Sequence, residues 1–415
     1  MASKLLALLY ASHFGSVAVE YVFLPYAFIA RGLTVSQVGS LVAVRTVALI
    51  ALQPSLAGAT DRSGRPFQAL RIVFAAQFAG ALALLAVDGF AAILSVVLVQ
   101  ACFRAPLIPV IDASTVREVG IERYGQIRVW GSLGFGICAA LLGTLSRSLS
   151  YDQTGEIALK AYAGITAASA VCAWLLRDPP TPSGEPRPSS RPRLGLAFAV
   201  FVAWNALHWA PIASYNALFS LHTKALGLDP SVPGYAMGVA IAGETVAFLG
   251  APFLFRRGGS ARWAVLAVAF SSLRWLICAL TDRTGLLIGI QVLHFFGFGL
   301  WYAAAISRLA AFADLDRRAS VQAIFSAGVL AAGGAVGSWG GGWLLERYGG
   351  GVLFQVSAGL DALSLLVAIA TWRIWSGPLA ASPDPKNSGN LDMNPREVGL
   401  GKDAAQGPKP PNETL

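Results

Sequence analysis

The stretch RYGQIRVWGSLGFG, residues 123–136, places Arg128 at the head of one of the longest apolar runs in the chain, followed at once by Trp130, Gly131 and Ser132. In water Arg128 would be an ordinary surface charge. In a bilayer it would sit where a charge is expensive. Composition decides between the two. Of the 415 residues, 55% are hydrophobic and only 13% are charged, and the mean hydropathy is +0.60. Soluble domains carry roughly 25% charge, so this chain cannot cover a water-facing surface. It reads as a membrane protein.

The rest of the composition narrows the class. The formal charge of +9 does not indicate nucleic acid, because the lysines and arginines fall in short clusters between apolar runs. They never form a basic face with stacking aromatics. Cys102, Cys138, Cys172 and Cys278 lie far apart, each inside an apolar run, with no CxxC pair or Cys/His cluster. Neither a metal, a disulfide nor a cofactor is expected. The N-terminal MASKLLALLY resembles a signal peptide, but the apolar run continues to about Ala30 without a small-residue cleavage site. A retained first span is expected.

Roughly 20 apolar residues cross a bilayer as a helix. On that basis twelve spans are expected in an all-α protein. Six lie at about 5–30, 36–58, 68–88, 89–115, 127–150 and 156–176. Six more lie at about 194–221, 232–256, 261–281, 285–310, 319–345 and 350–375. The proline-rich RDPPTPSGEPRPSSRPR, residues 177–193, is polar and too long for a tight turn, so it reads as a linker. It divides the chain into 1–176 and 194–375. Residues 376–415 are rich in Pro, Gly, Asn and Asp without apolar periodicity and are expected to be a disordered tail.

Arginine and lysine set the orientation. With the N-terminus inside, Arg62, Arg65, Arg117, Arg123, Arg177, Arg187, Arg191, Arg193, Arg256, Arg257, Arg262, Arg317 and Arg318 fall in cytoplasmic loops. The opposite side holds only Arg31, Arg147, Lys160, Lys224, Arg283 and Arg347. Both termini, the linker and the tail are expected in the cytoplasm.

Inside the spans sit Glu20, Arg45, Arg104, Asp112, Arg128, Glu244, Arg274 and Asp361, with His13, His208, His222 and His294. Each charge costs about 2.5–3.5 kcal/mol at a span centre even on the lenient insertion scale. Such residues mark an ion or substrate path, or else form structural ion pairs. In span 7, Asn205, His208, Tyr215 and His222 share one helical face, and in span 10 Gln291, His294, Phe298, Trp301 and Arg308 form one stripe. A polar and aromatic stripe on an apolar helix points to a lined cavity; the alternative is polar glue between helices. The glycine clusters WGSLGFG and GGAVGSWGGGW lack the strand and lysine of a phosphate loop and instead permit close helix approach. They fall in spans 5 and 11, corresponding members of the two halves, which suggests an internal repeat.

At these residues the chain resembles the major facilitator superfamily of secondary transporters. AGATDRSGR, after span 2, is similar to that superfamily's signature loop, with Asp61, Arg62, Gly64 and Arg65 at its charged and glycine positions and Ala57 where a glycine is usual. FLPY, PLIPVID, YGQIRVWGSLGF, GVAIAGETVAF, LRWLICAL, QVLHFFGFG and QAIFSAG, in that order, resemble the phenylpropionate permease branch, related to the lactose and nucleoside proton symporters. The resemblance implies two six-helix bundles around a cavity lined mainly by helices 1, 4, 7 and 10. It also implies that Asp112 and Arg128 bind substrate together. Glu20, Arg45 and Arg104 stand where uncharged residues are usual, and Leu49 stands where an arginine is.

These readings converge on a proton symporter of the inner (cytoplasmic) membrane, a monomer in the lipid bilayer, carrying a small organic solute such as an aromatic acid. Substrate is expected at Asp112, Arg128, His208, Tyr215, His294 and Trp301. A carboxylate whose protonation changes during transport is expected to couple the proton, Glu244 first and then Glu20, with His294 as a relay. The rival readings are proton-coupled efflux of drugs or metabolites and, less naturally, a polytopic membrane enzyme, which would need a clustered catalytic set that the scattered histidines do not form.

Overall fold

A computed structural model describes residues 2–178, 195–309, 312 and 318–377, which are all α-helical apart from short turns. The expected linker and tail lie outside the described residues except for Arg177, Asp178, Ser376 and Gly377.

The first half of the chain runs α1 (Ala2–Val22), α2 (Leu24–Ala30), α3 (Val35–Ser63), α4 (Pro66–Ala86), α5 (Phe90–Arg104), α6 (Leu107–Val119), α7 (Ile121–Ser146) and α8 (Tyr151–Leu175). The helix ends follow local chemistry. Thr34 with Gln37, and Ser150 with Gln153, form capping boxes at the starts of α3 and α8. Gly64, at φ 64°, closes α3 in the left-handed conformation that glycine adopts freely. α7 starts earlier than its apolar run, so Arg128 lies two turns inside a helix and not at its mouth.

The second half runs α9 (Leu196–Ala225), α10 (Val232–Gly258), α11 (Ser260–Leu280) and α12 (Thr284–Gly289), then a 3-10 turn (Ile290–Leu293) and a π-helical stretch (Phe295–Leu300) into α13 (Trp301–Leu309). After α14 (Arg318–Phe325) a second π stretch (Ser326–Gly333) leads into α15 (Gly334–Ala370) and the short α16 (Trp372–Trp375). Eleven helical segments among the described residues are long and apolar enough to cross a membrane, including α5 with α6 as one. The last covers residues 321–370, 50 residues, about twice what a bilayer requires. Gly349, at φ 82° and ψ 170°, interrupts it in a conformation that side-chain-bearing residues avoid.

Packing explains the glycine clusters. A Cβ at Gly134 of α7 would run into the backbone oxygen of Ala11 on α1, and a Cβ at Gly337 of α15 into that of Ala210 on α9. The same backbone-to-backbone approach is thus built twice, once in each half. Outward-facing side chains are apolar, with Leu249, Leu196 and Leu280 among the most exposed, as a hydrocarbon surrounding allows.

The two ends of the molecule differ. Towards the arginine-rich loops, each half keeps its own core. Leu6, Leu9, Phe67, Leu70 and Leu176 pack in the first half, and Phe198, Trp204, Leu309, Val321 and Trp375 in the second. Towards the opposite end a single core spans both halves and joins Phe23, Tyr26 and Phe28 to Leu218, Phe219 and Phe354. Hydrogen bonds between the halves cluster there too. Tyr151 donates to Leu228 O (2.5 Å), the Ser36 N–H to Glu346 (2.6 Å), the Ser148 N–H to Asp229 (3.2 Å) and Tyr235 to Thr144 (3.3 Å).

Candidate functional site

The second half carries a buried chain of polar groups that ends at a carboxyl. Arg274 of α11 is fully buried without an ion-pair partner among the described residues. Its Nε and Nη2 donate to Gln291 Oε1 at 2.8 and 2.5 Å, and its guanidinium stacks 4.4 Å from the rings of Tyr215 and Trp275. Its Nη1 lies 2.9 Å from His294 Nδ1. A guanidinium only donates, so Nδ1 must accept and the neutral ring carries its proton on Nε2. That nitrogen faces Glu244 of α10 at 3.5 Å, the one ion-pair partner the carboxyl has among the described residues.

His294 sits at the junction of the 3-10 turn and the π stretch, and this changes which side chains share its face. Each residue inserted by a π turn rotates the following helix by about 100°. The straight stripe expected from sequence, His294–Phe298–Trp301–Arg308, is therefore split. His294, Phe298 and Tyr302 stack instead, with successive ring centroids 5.4 and 5.5 Å apart. Trp301 turns into the core, where its Nε1 donates to Asn205 Oδ1 at 2.8 Å. Arg308 donates to the backbone oxygens of Trp375 and Gly377. Irregular backbone of this kind recurs at functional positions.

His208, Tyr215 and Trp301 are all fully buried. His208 Nδ1 lies 2.7 Å from Asp361 Oδ1 and its Nε2 lies 2.8 Å from Gly297 O. His208 thus bridges a carboxyl on α15 and a backbone oxygen of the π stretch. Trp275 Nε1 donates to the other Asp361 oxygen at 2.7 Å. Of the six side chains expected at the substrate, these three lie in the helix-packing interior of the second half.

The first half arranges its charges differently. Glu20 of α1 is clamped by two guanidinium groups, Arg45 of α3 and Arg104 of α5, the latter at 2.7 Å. Asp112 of α6 accepts a hydrogen bond from the Tyr10 hydroxyl. Arg128 of α7 lies over the Phe14 ring at 4.4 Å and the Tyr10 ring at 5.4 Å. Asp112 and Arg128 thus flank the same tyrosine and form no ion pair with each other.

Sequence reading passed over Tyr10, because its partner Asp112 lies 102 residues away and no spacing within the first span marks it. It also missed Asp178, whose carboxylate accepts from the Phe67 and Gln68 N–H groups (2.7 and 3.1 Å) at the start of α4. This capping contact ties the end of α8 to the signature loop. In that loop Gly64 donates its N–H to Asp61 O at 3.2 Å and Arg65 reaches Gln68 at 3.5 Å, while the Asp61 and Arg62 side chains are exposed.

Comparison with known proteins agrees with this architecture. Residues 4–356 match the MFS_1 like family. The chain is 26% identical over 374 residues to the "Probable 3-phenylpropionic acid transporter" of Escherichia coli (strain K12), covering 86% of this chain and 94% of that protein. It is 27% identical over 345 residues to the maltose permease of Geobacillus stearothermophilus, covering 80% and 84%. The crystal structure of nucleoside transporter NupG superposes with a TM-score of 0.76 at 17% identity, over 90% of this chain and 99% of that one. The POT family transporter PepTSo does so with a TM-score of 0.69 at 10% identity, over 90% and 97%. At such identities these two structures speak for the fold alone. The family match covers most of the chain, which therefore belongs to the MFS_1 like family and is a polytopic membrane transporter of the major facilitator type.

Proposed function

We propose that this protein imports a small organic acid together with a proton across the inner (cytoplasmic) membrane, as a monomer, by alternating access. In this reading twelve spans form two six-helix bundles, 1–176 and 194–375, with the 177–193 linker, the 376–415 tail and both termini in the cytoplasm. Gly349 separates the last two spans. The core shared by the two halves is the closed outer gate, and the separate cores leave the site open to the cytoplasm.

Arg128 is the observation that carries the reading. Among the described residues it has no carboxylate or amide partner, whereas Glu20 occupies Arg45 and Arg104, and Gln291 and His294 occupy Arg274. A cation held over aromatic rings can take a substrate carboxylate, and the Phe298 and Tyr302 stack offers flat surfaces to an aromatic body. Tyr10, held by Asp112, orients the arginine. The aromatic-acid relative, whose match covers more of both chains than that of the maltose permease, supports this substrate class. Glu244 takes up the proton and His294 Nε2–H is placed to relay it.

Counterflow into proteoliposomes across aromatic acids, sugars and nucleosides tests the substrate class. Aromatic acids are expected to exchange, and Arg128→Ala to weaken their binding by roughly 10- to 150-fold, the worth of a charge-assisted contact. Exchange of sugars or nucleosides alone, or normal acid binding by the variant, would overturn the reading. For sidedness, cysteines at Ser189 and Ser388 are expected to resist an impermeant thiol reagent until the cells are lysed.

A further inference from the structure

One polar cluster in the first half is not used by the transport cycle proposed above. Glu20, Arg45, Gln100 and Tyr162 wall a cavity of about 20 Å³ whose other sides include Leu24, Phe28, Leu41 and Val97. It has room for one water-sized particle. These polar side chains come from four different elements, α1, α3, α5 and α8, so whatever fills the space joins all four helices.

The charges around it do not balance. Arg45 and Arg104 bring two positive charges and Glu20 one negative charge. Donors also exceed acceptors. Arg45 is 6% exposed, and its Nε finds no hydrogen-bond partner among the described residues. Tyr162 is 2% exposed, and its hydroxyl accepts from Gln100 Nε2 at 3.5 Å, which leaves its own proton to give. Among the described residues Glu20 is the one carboxylate on the cavity wall, and both of its oxygens are already engaged by arginine. A net charge buried away from water is costly unless paired. A water molecule here would satisfy donors and leave the charge.

We propose that this cavity binds a single monovalent anion of halide size, which together with Glu20 neutralises Arg45 and Arg104. The site is separate from Arg128 and does not depend on the substrate proposed there. The space excludes an organic acid, so the anion acts as a tie between helices and not as cargo.

Melting of the purified full-length protein in detergent, in sodium chloride against sodium gluconate at equal ionic strength, tests the proposal. Chloride and bromide are expected to raise the melting temperature saturably, and gluconate to leave it unchanged. Tyr162→Phe, which removes one donor, should weaken the apparent chloride affinity by roughly 3- to 10-fold. Glu20→Gln leaves two arginines without a counter-charge and should tighten it. Equal melting of the wild-type protein in chloride and gluconate would show that the cavity holds water and overturn the proposal. So would a halide response that Tyr162→Phe leaves unchanged. Should Glu20→Gln fail to fold, the wild-type and Tyr162→Phe measurements decide the matter between them.

Discussion

Glu20 and Glu244 are the same side chain in the same kind of place, one in each half of a membrane protein, and their surroundings make them different instruments. Glu20 sits between two guanidinium groups, a carboxylate whose charge is required by its neighbours. Among the described residues Glu244 has a single ion-pair partner, a neutral imidazole at 3.5 Å that is itself held by Arg274. Taking the proton from outside would break two ion pairs at Glu20 and at most one long contact at Glu244. A group that must change charge in every cycle belongs where the change disturbs least. The comparison therefore favours a structural role for Glu20 and, in the proposed cycle, puts Glu244 ahead of it as the coupling group, for a physical reason that sequence did not supply.

The most severe test of this contrast is Glu244→Gln. The amide mimics the protonated carboxyl, so exchange of substrate across proteoliposomes should survive while accumulation driven by a proton gradient is lost completely. Accumulation that persists would remove Glu244 from the coupling step, and loss of exchange as well would make it a binding or folding residue. Glu20→Gln should fail in the opposite manner. It leaves two buried arginines without a counter-charge, and breaking a buried pair costs about 3–5 kcal/mol. Thermal unfolding should show a large drop for Glu20→Gln and little change for Glu244→Gln. Equal drops would erase the distinction between the two carboxyls.

A smaller effect concerns the end where the halves share one core. Burial pushes the Asp229 carboxyl up, but hydrogen bonds from Ser231 and from the Ser148 N–H, with Arg147 nearby, outweigh it and hold the group below the usual carboxylate range. A carboxyl lowered in this way contributes its contact fully above its ordinary range and loses it only as pH falls through the lowered value. The closed end should therefore be unchanged from neutral to mildly acidic pH and loosen slightly below the usual aspartate range. Spin labels at the exposed Asp152 and Asp282, one in each half, would report this as a distance distribution that broadens only at low pH. Broadening at mildly acidic pH would place the sensitive group elsewhere.

Much of the fold was legible because a bilayer leaves few options. A run of about 20 apolar residues must satisfy its backbone internally, so it is a helix. The divisions at the 31–34, 87–89, 147–150 and 226–231 turns follow, as does the break at Gly349. The site was legible only as a list of expensive side chains. Spacing could place His294 and Phe298 on one face, but it carried that face on to Trp301 and not to Tyr302, because nothing in a regular 3.6-residue period announces a π turn.

The sequence by itself determined that this chain lives in lipid, crosses it repeatedly as helices, and keeps its arginines towards one side. Those properties are sums over many residues and depend on local chemistry and on the solvent. Only the tertiary structure decided which charge meets which. Glu20 lies 25 residues from Arg45 and 84 from Arg104, and His208 lies 153 from Asp361. Partners so distant in the chain are chosen by how helices pack, and the packing is set by close approaches such as Gly134 on Ala11 and Gly337 on Ala210. In a low-dielectric interior a charge is defined by its nearest neighbours, so the difference between a locked carboxylate and a poised one is written in the contacts between helices.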